Sequence, residues 1–104
     1  MNISSNPQMR AELRLDLVDS CGQTVRSINV ASARLMALSL REKSMWYGFV
    51  ITESDTSVLA PGTTKAVRIA FLDDIGARHA LPVCASILFG DGVCAWGVLV
   101  LSDD

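Results

Sequence analysis

The feature that most restricts the fold is the stretch Leu81–Leu101, LPVCASILFGDGVCAWGVLVL. Two apolar runs rich in Val, Ile, Leu, Phe and Trp flank Gly90-Asp91-Gly92, the pattern of a β-hairpin. Two closures fit. With Asp91-Gly92 as a two-residue loop, Ile87 lies opposite Trp96, Ala85 opposite Val98 and Val83 opposite Val100. With all of Gly90-Asp91-Gly92 in the loop, Val83, Ala85, Ile87 and Phe89 share a face with Val93, Ala95, Gly97 and Leu99. A one-residue slip moves every side chain of one strand to the other face, yet neither register leaves a polar second face. A hairpin apolar on both sides invites aggregation if it is an exposed edge. It is therefore expected in the middle of a sheet, or under another element or subunit.

Residues 1–9 are polar, carry Pro7 and read as a tail, leaving residues 10–104 as one domain. From Ala11 to Val18, Leu13, Leu15 and Leu17 alternate with Arg14 and Asp16, a half-buried strand. Asp19–Gln23 has turn chemistry, and Thr24–Val30 resumes a β-like pattern. Ala31–Leu40 has helix-favouring residues, but Met36, Leu38 and Leu40 also alternate with Ala37 and Ser39, and an extended or irregular connection is expected. Arg41-Glu42-Lys43-Ser44 reads as a charged turn, and Met45–Thr52, with its aromatic and β-branched residues, as a strand. Ala60-Pro61-Gly62 has Pro and Gly where a type II turn needs them. Thr64–Leu72 is a strand with Val67, Ile69 and Phe71 inward, and Asp73–Ala80 reads as a polar loop around Gly76. Six or so short strands with close turns indicate an all-β domain, a small antiparallel barrel or sandwich.

Composition bounds the partners. The chain of 104 residues is 50% hydrophobic and 19% charged, enough to fill a core and too apolar for disorder. A net charge of −2 with no basic run argues against nucleic acid and anionic membrane surfaces. The surplus of apolar residues favours a protein partner, a second copy of the chain first of all. Cys21, Cys84 and Cys94 are odd in number and lack metal-like spacing, and in the two-residue register Cys84 and Cys94 point to opposite faces. They are expected as buried free thiols in a reducing cytoplasm. The N-terminal MNISSNPQMR has no apolar core of signal-peptide length, and no stretch reaches the roughly 18 residues of a membrane span.

The order of these features resembles the C-terminal β-barrel of elongation factor Tu and its small standalone bacterial relatives. Ala11-Glu12-Leu13 matches the leading strand, and Gly22-Gln23-Thr24-Val25-Arg26 sits at the family's Gly-Arg turn. Leu59-Ala60-Pro61-Gly62-Thr63 matches its Pro-Gly turn and Val67 to Phe71-Leu72 the strand after it. Leu81-Pro82-Val83 opens the last segment, Asp91-Gly92 matches the acidic-Gly turn, and Gly97 the glycine that follows. Cys84, Ile87 and Gly90 stand where the family has glycine, phenylalanine and a basic residue. The resemblance implies a small closed antiparallel six-stranded barrel, and little about function. Arg10-x-x-x-Arg14 also has the spacing of the arginine pair in PilZ domains, barrels that bind cyclic di-GMP. Guanidinium pairs grip phosphates and stack on guanine. The companion Asp/Asn-x-Ser-x-x-Gly motif is missing, since Asn29-Val30-Ala31-Ser32 lacks the glycine.

Catalytic chemistry has little to stand on. His79 is the only histidine, and a thiol of Cys84 or Cys94 in an apolar strand would be inert. Asp73-Asp74 and Asp103-Asp104 are adjacent pairs whose members point apart in extended chain. No catalytic, cofactor or metal residue is assigned. The chain reads as a non-enzymatic interaction module, a homodimer by expectation. Trp46, Tyr47 and Trp96, with Arg26 and Arg68, are the candidate surface, since aromatic residues anchor interfaces. The alternatives are a PilZ-like binder of a small anionic nucleotide through Arg10 and Arg14, and an immunity- or antitoxin-like protein that sequesters one partner.

Overall fold

Period-2 alternation builds the first wall strand. In β1 (Gln8–Leu15) Met9, Ala11, Leu13 and Leu15 are buried, while Gln8, Arg10, Glu12 and Arg14 are exposed. The strand begins inside the expected tail. It ends before Leu17, which is 65% exposed rather than a further inward leucine. The computed structural model describes residues 7–41 and 44–102. Most of the expected tail, Glu42 and Lys43 of the charged turn, and Asp103-Asp104 lie outside the described residues.

After β1 come β2 (Ile28–Asn29), β3 (Leu35–Ser39), β4 (Met45–Ser54), β5 (Val58–Leu59), β6 (Thr64–Phe71), α1 (Asp74–Ala80), β7 (Ser86–Gly90) and β8 (Ala95–Leu101). Six strands close into an antiparallel barrel in the order β1-β6-β4-β3-β7-β8, with β8 paired back to β1. The fold is the small six-stranded all-β barrel expected. Strands β3, β4 and β6 follow one another, and β7 returns through α1 to lie beside β3, a Greek key. Within Ala31–Leu40 only Leu35–Ser39 is strand, with Leu35, Ala37 and Ser39 inward, and Ala31–Arg34 is turn and irregular chain.

Both barrel ends are covered. Strands β2 and β5 pair into a two-stranded flap where β1 ends, bringing Val25 and Leu59 into the core. At the opposite end α1 contributes Ala77, and Leu81 follows it inward. Asp73 caps that helix by accepting the N–H of Gly76 at 3.1 Å, and Asp74 holds the Arg78 guanidinium at 2.9 Å. This corrects the polar loop expected at Asp73–Ala80, and it puts His79 on a helix. The core centres on Phe49, whose ring meets Phe71 and Phe89 edge-on at 5.8 and 6.2 Å. Gly97 lets β8 approach β1, because a Cβ there would run into the Arg14 carbonyl.

The closing hairpin adopts neither expected register. Ile87 pairs with Leu99, Leu88 with Val98 and Phe89 with Gly97, before a slip brings Gly90 opposite Ala95. The cause is Asp91, whose carboxylate accepts the N–H groups of Val93 and Cys94 and lengthens the loop to Asp91–Cys94. Those hydrogen bonds also hold the Asp91 carboxyl below its usual pKa. The faces follow the three-residue alternative over the paired region: Ile87, Phe89, Ala95, Gly97 and Leu99 are all buried. The first arm starts only at Ser86, since Leu81 ends the helix and Cys84 takes a positive φ of 55°.

The cysteine expectation is overturned. Cys21 and Cys94 form a disulfide across a sequence separation of 73, and Cys84 is an exposed thiol. The loop after β1 folds over the β7–β8 turn, which no local pattern reports. One joint of the barrel is thin. The β3–β7 ladder has only the pairs Met36↔Gly90 and Ala37↔Phe89, against seven pairs between β1 and β6. Below it the buried Ser39 hydroxyl donates to the Ala80 carbonyl at 3.0 Å.

Candidate functional site

Strand alternation decides which aromatic residues reach the surface. Leu38 pairs with Trp46 and Ala37 with Tyr47. Ala37 is fully buried, so Tyr47 packs against the core and Trp46 faces outward, half-buried. On the hairpin, outward Leu88 pairs with outward Val98. Carrying the β3–β7 register one step further sets Leu38 beside Leu88, and both line an apolar cleft of about 200 Å³. The result is a continuous outward row, Trp46–Leu38–Leu88–Val98, across four neighbouring strands. At one strand spacing per step it spans about 14 Å. Leu88 is 45% exposed, and Leu40 beyond the end of β3 is 81% exposed. The row ends where Val98 meets Arg14 of β1.

The other expected residues fall into two further places. Arg10 is the cross-strand partner of Arg68, and both line an open cleft of about 560 Å³ on the outer wall. Glu12, Glu53 and Asp55 line it too, with Glu53 3.7 Å from the Arg68 guanidinium. Arg14 shares the outer face of β1 but lies four residues on, about 13 Å along an extended strand. It faces Asp16 at 3.3 Å. The sequence pair Arg10 and Arg14 is thus not one guanidinium clamp; the neighbour of Arg10 is Arg68.

Trp96 and Arg26 meet at the flap end. Both line a cleft of about 420 Å³ beside the disulfide, with Asp19 and Asp91 at its rim. Trp46 and Arg68 do not join them, because they sit toward opposite ends of β4 and its neighbour β6. The five candidate residues therefore divide among four places: Trp46 in the outward row, Tyr47 against the core, Arg68 in the outer-wall cleft, and Trp96 with Arg26 at the flap end.

The sequence alone does not mark Leu38, Leu40, Leu88 and Val98 as surface residues. Their signal was in the apolar character of both hairpin faces and in the alternation of Leu38 and Leu40. Asp19, Cys21 and Cys94 were missed as a group: their ligand atoms lie within 4.8 Å of one another, although Cys94 is distant in sequence. Among the described residues no helix is long and apolar enough to cross a membrane. Comparisons with protein-family models, curated proteins and solved structures find no match.

Proposed function

We propose that this chain is a non-enzymatic β-barrel module that acts by protein–protein contact, with a second copy of itself as the first partner. The observation that carries this reading is the uncharged outward row Trp46–Leu38–Leu88–Val98 on the wall of a closed barrel. Closure removes the sheet edges, so the row is left as a face rather than a strand to be paired. An apolar patch with charge only at its margins, Arg41 and Arg14, suits a self-complementary two-fold interface, where the same side chains supply both halves. Leu88 at its centre has the placement of an interface anchor.

Light scattering on eluting protein tests it. The wild-type chain should run as a dimer at high concentration, with a melting temperature that rises with protein concentration, and Leu88→Glu or Leu38→Glu should run as folded monomers whose melting temperature does not. A wild-type chain that stays monomeric at millimolar concentration sinks the homodimer. The immunity- or antitoxin-like reading would use the same face against a different protein.

The likeness to the C-terminal barrel of elongation factor Tu rests on turn residues such as Pro61-Gly62 and Asp91-Gly92, and the six-stranded barrel supports it. The nucleotide reading gains least from the geometry, since Arg10 stands among carboxylates. Failure of cyclic di-GMP to raise the melting temperature would remove it. The cytoplasmic expectation rested on reduced thiols; the Cys21–Cys94 bond instead favours surroundings oxidising enough to keep it.

A further inference from the structure

The flap end gathers three metal-ligating side chains that the disulfide conceals. Asp19 Oδ and the sulfurs of Cys21 and Cys94 all lie within 4.8 Å of one another. In a tetrahedral zinc site with Zn–S bonds of about 2.3 Å, neighbouring sulfurs stand about 3.8 Å apart, so the bonded sulfurs must separate on reduction, a movement that side-chain rotation of Cys21 and Cys94 supplies with the Cα atoms at 5.7 Å. The sulfurs do not depend on their own bond to stay together. Ser20, next to Cys21, donates its N–H to the Ala95 carbonyl at 2.9 Å and accepts the Ala95 N–H on its hydroxyl at 2.8 Å. Ala95 in turn follows Cys94. These two hydrogen bonds zip the loop to the start of β8 on one side of the cysteine pair. Asp19 is fixed as well: its Oδ1 accepts the N–H groups of Cys21 and Gln23, each at 2.9 Å, which leaves Oδ2 for a ligand.

We propose that the reduced chain binds a divalent cation of the zinc class through Asp19, Cys21 and Cys94, with the fourth position open. The disulfide first takes two electrons and two protons from a dithiol reductant, which becomes a disulfide itself. The cation then displaces one proton from each thiol, releases both to solvent, and bonds to two thiolates and the carboxylate. Disulfide and metal are mutually exclusive occupants of one site, so the compartment's redox state chooses between them. Three protein ligands and an open position make a site that accepts a further ligand from solvent or a partner. The inference is independent of the apolar row.

The test uses the full chain with Cys84→Ser, which removes the third thiol. Reduced, metal-free protein is titrated with Cd²⁺, read by the thiolate-to-cadmium ultraviolet band, and with Zn²⁺ against a chromophoric chelator. One ion per chain is expected, together with a higher melting temperature. The oxidised protein and the Cys21→Ser and Cys94→Ser variants should lose the band. Asp19→Asn keeps the acceptor for the loop amides but loses the carboxylate, and should weaken binding about tenfold or more. Reduced protein that binds no more tightly than the oxidised form overturns the proposal. So does unaltered affinity in Asp19→Asn, or binding that leaves the melting temperature unmoved, which would mark capture by unfolded chain.

Discussion

Removing the Cys21–Cys94 bond, by Cys21→Ser with Cys94→Ser, isolates the largest single covalent constraint on this barrel. The bond joins residues 73 apart, with Cα atoms at 5.7 Å. Its main effect is on the unfolded chain, because the Ser20–Ala95 hydrogen bonds still hold the native loop against β8. Loop-closure entropy for that length gives a loss of about 4 kcal/mol. A domain of this size unfolds with about 2 cal/mol/K of entropy per residue, so the melting temperature should fall by about 20 °C. Against the roughly 5–15 kcal/mol typical of small domains, the variant keeps its fold with a thin margin. Guanidinium unfolding followed by tryptophan fluorescence, with Cys84→Ser as the background, measures the change. Before reduction, alkylation of the denatured wild-type chain should label Cys84 alone. A stability change under about 1 kcal/mol, with both cysteines shown to have been bonded in the parent, would refute the loop-entropy argument.

Other perturbations test the core, the cap and the closure. Phe49→Ala removes the ring that both Phe71 and Phe89 pack against and should cost about 4 kcal/mol in urea unfolding. Asp73→Ala strips the cap from α1 and should cost about 1 kcal/mol, read as a lower midpoint with an unchanged denaturant slope. Gly97→Ala forces a methyl into the Arg14 carbonyl; a loss of about 2 kcal/mol or more is expected in the same assay, with faster amide exchange along β1 and β8.

What the chain disclosed in advance was its alternation. Leu13 and Leu15, Val67, Ile69 and Phe71, and the Pro61-Gly62 turn behave as their spacing demands, with Gly62 at a φ of 82°. What stayed hidden was decided by tertiary contacts. Helix α1 is seven residues long, holds Gly76, and turns its one large apolar residue, Ile75, to solvent at 84% exposure, so it has no amphipathic pattern to find. Its cap, Asp73, and its Asp74–Arg78 pair were visible as letters but read equally well as a polar loop. The hairpin register hinged on one carboxylate bonding two amides. The Cys21–Cys94 pair depended on a loop folding across the barrel mouth, which chain spacing cannot encode. Of the candidate surface aromatics, Trp46 faces outward and Tyr47 packs against the core, as adjacent strand residues must divide, while the joining of Leu38 to Leu88 needs the barrel's strand order.

The two-pair ladder between β3 and β7 gives the outward row a thermodynamic meaning. A ring held by long ladders and one short one opens at the short one, and here opening would release backbone edges on both strands. Leu38 and Leu88 stand on either side of that joint. Any molecule that covers both therefore binds the closed ring and not the opened one, and by mass action it suppresses the opening. Occupancy of the row and protection of the β3 and β7 amides are then two readings of one equilibrium, so self-association can be followed as slowed hydrogen exchange at a single seam.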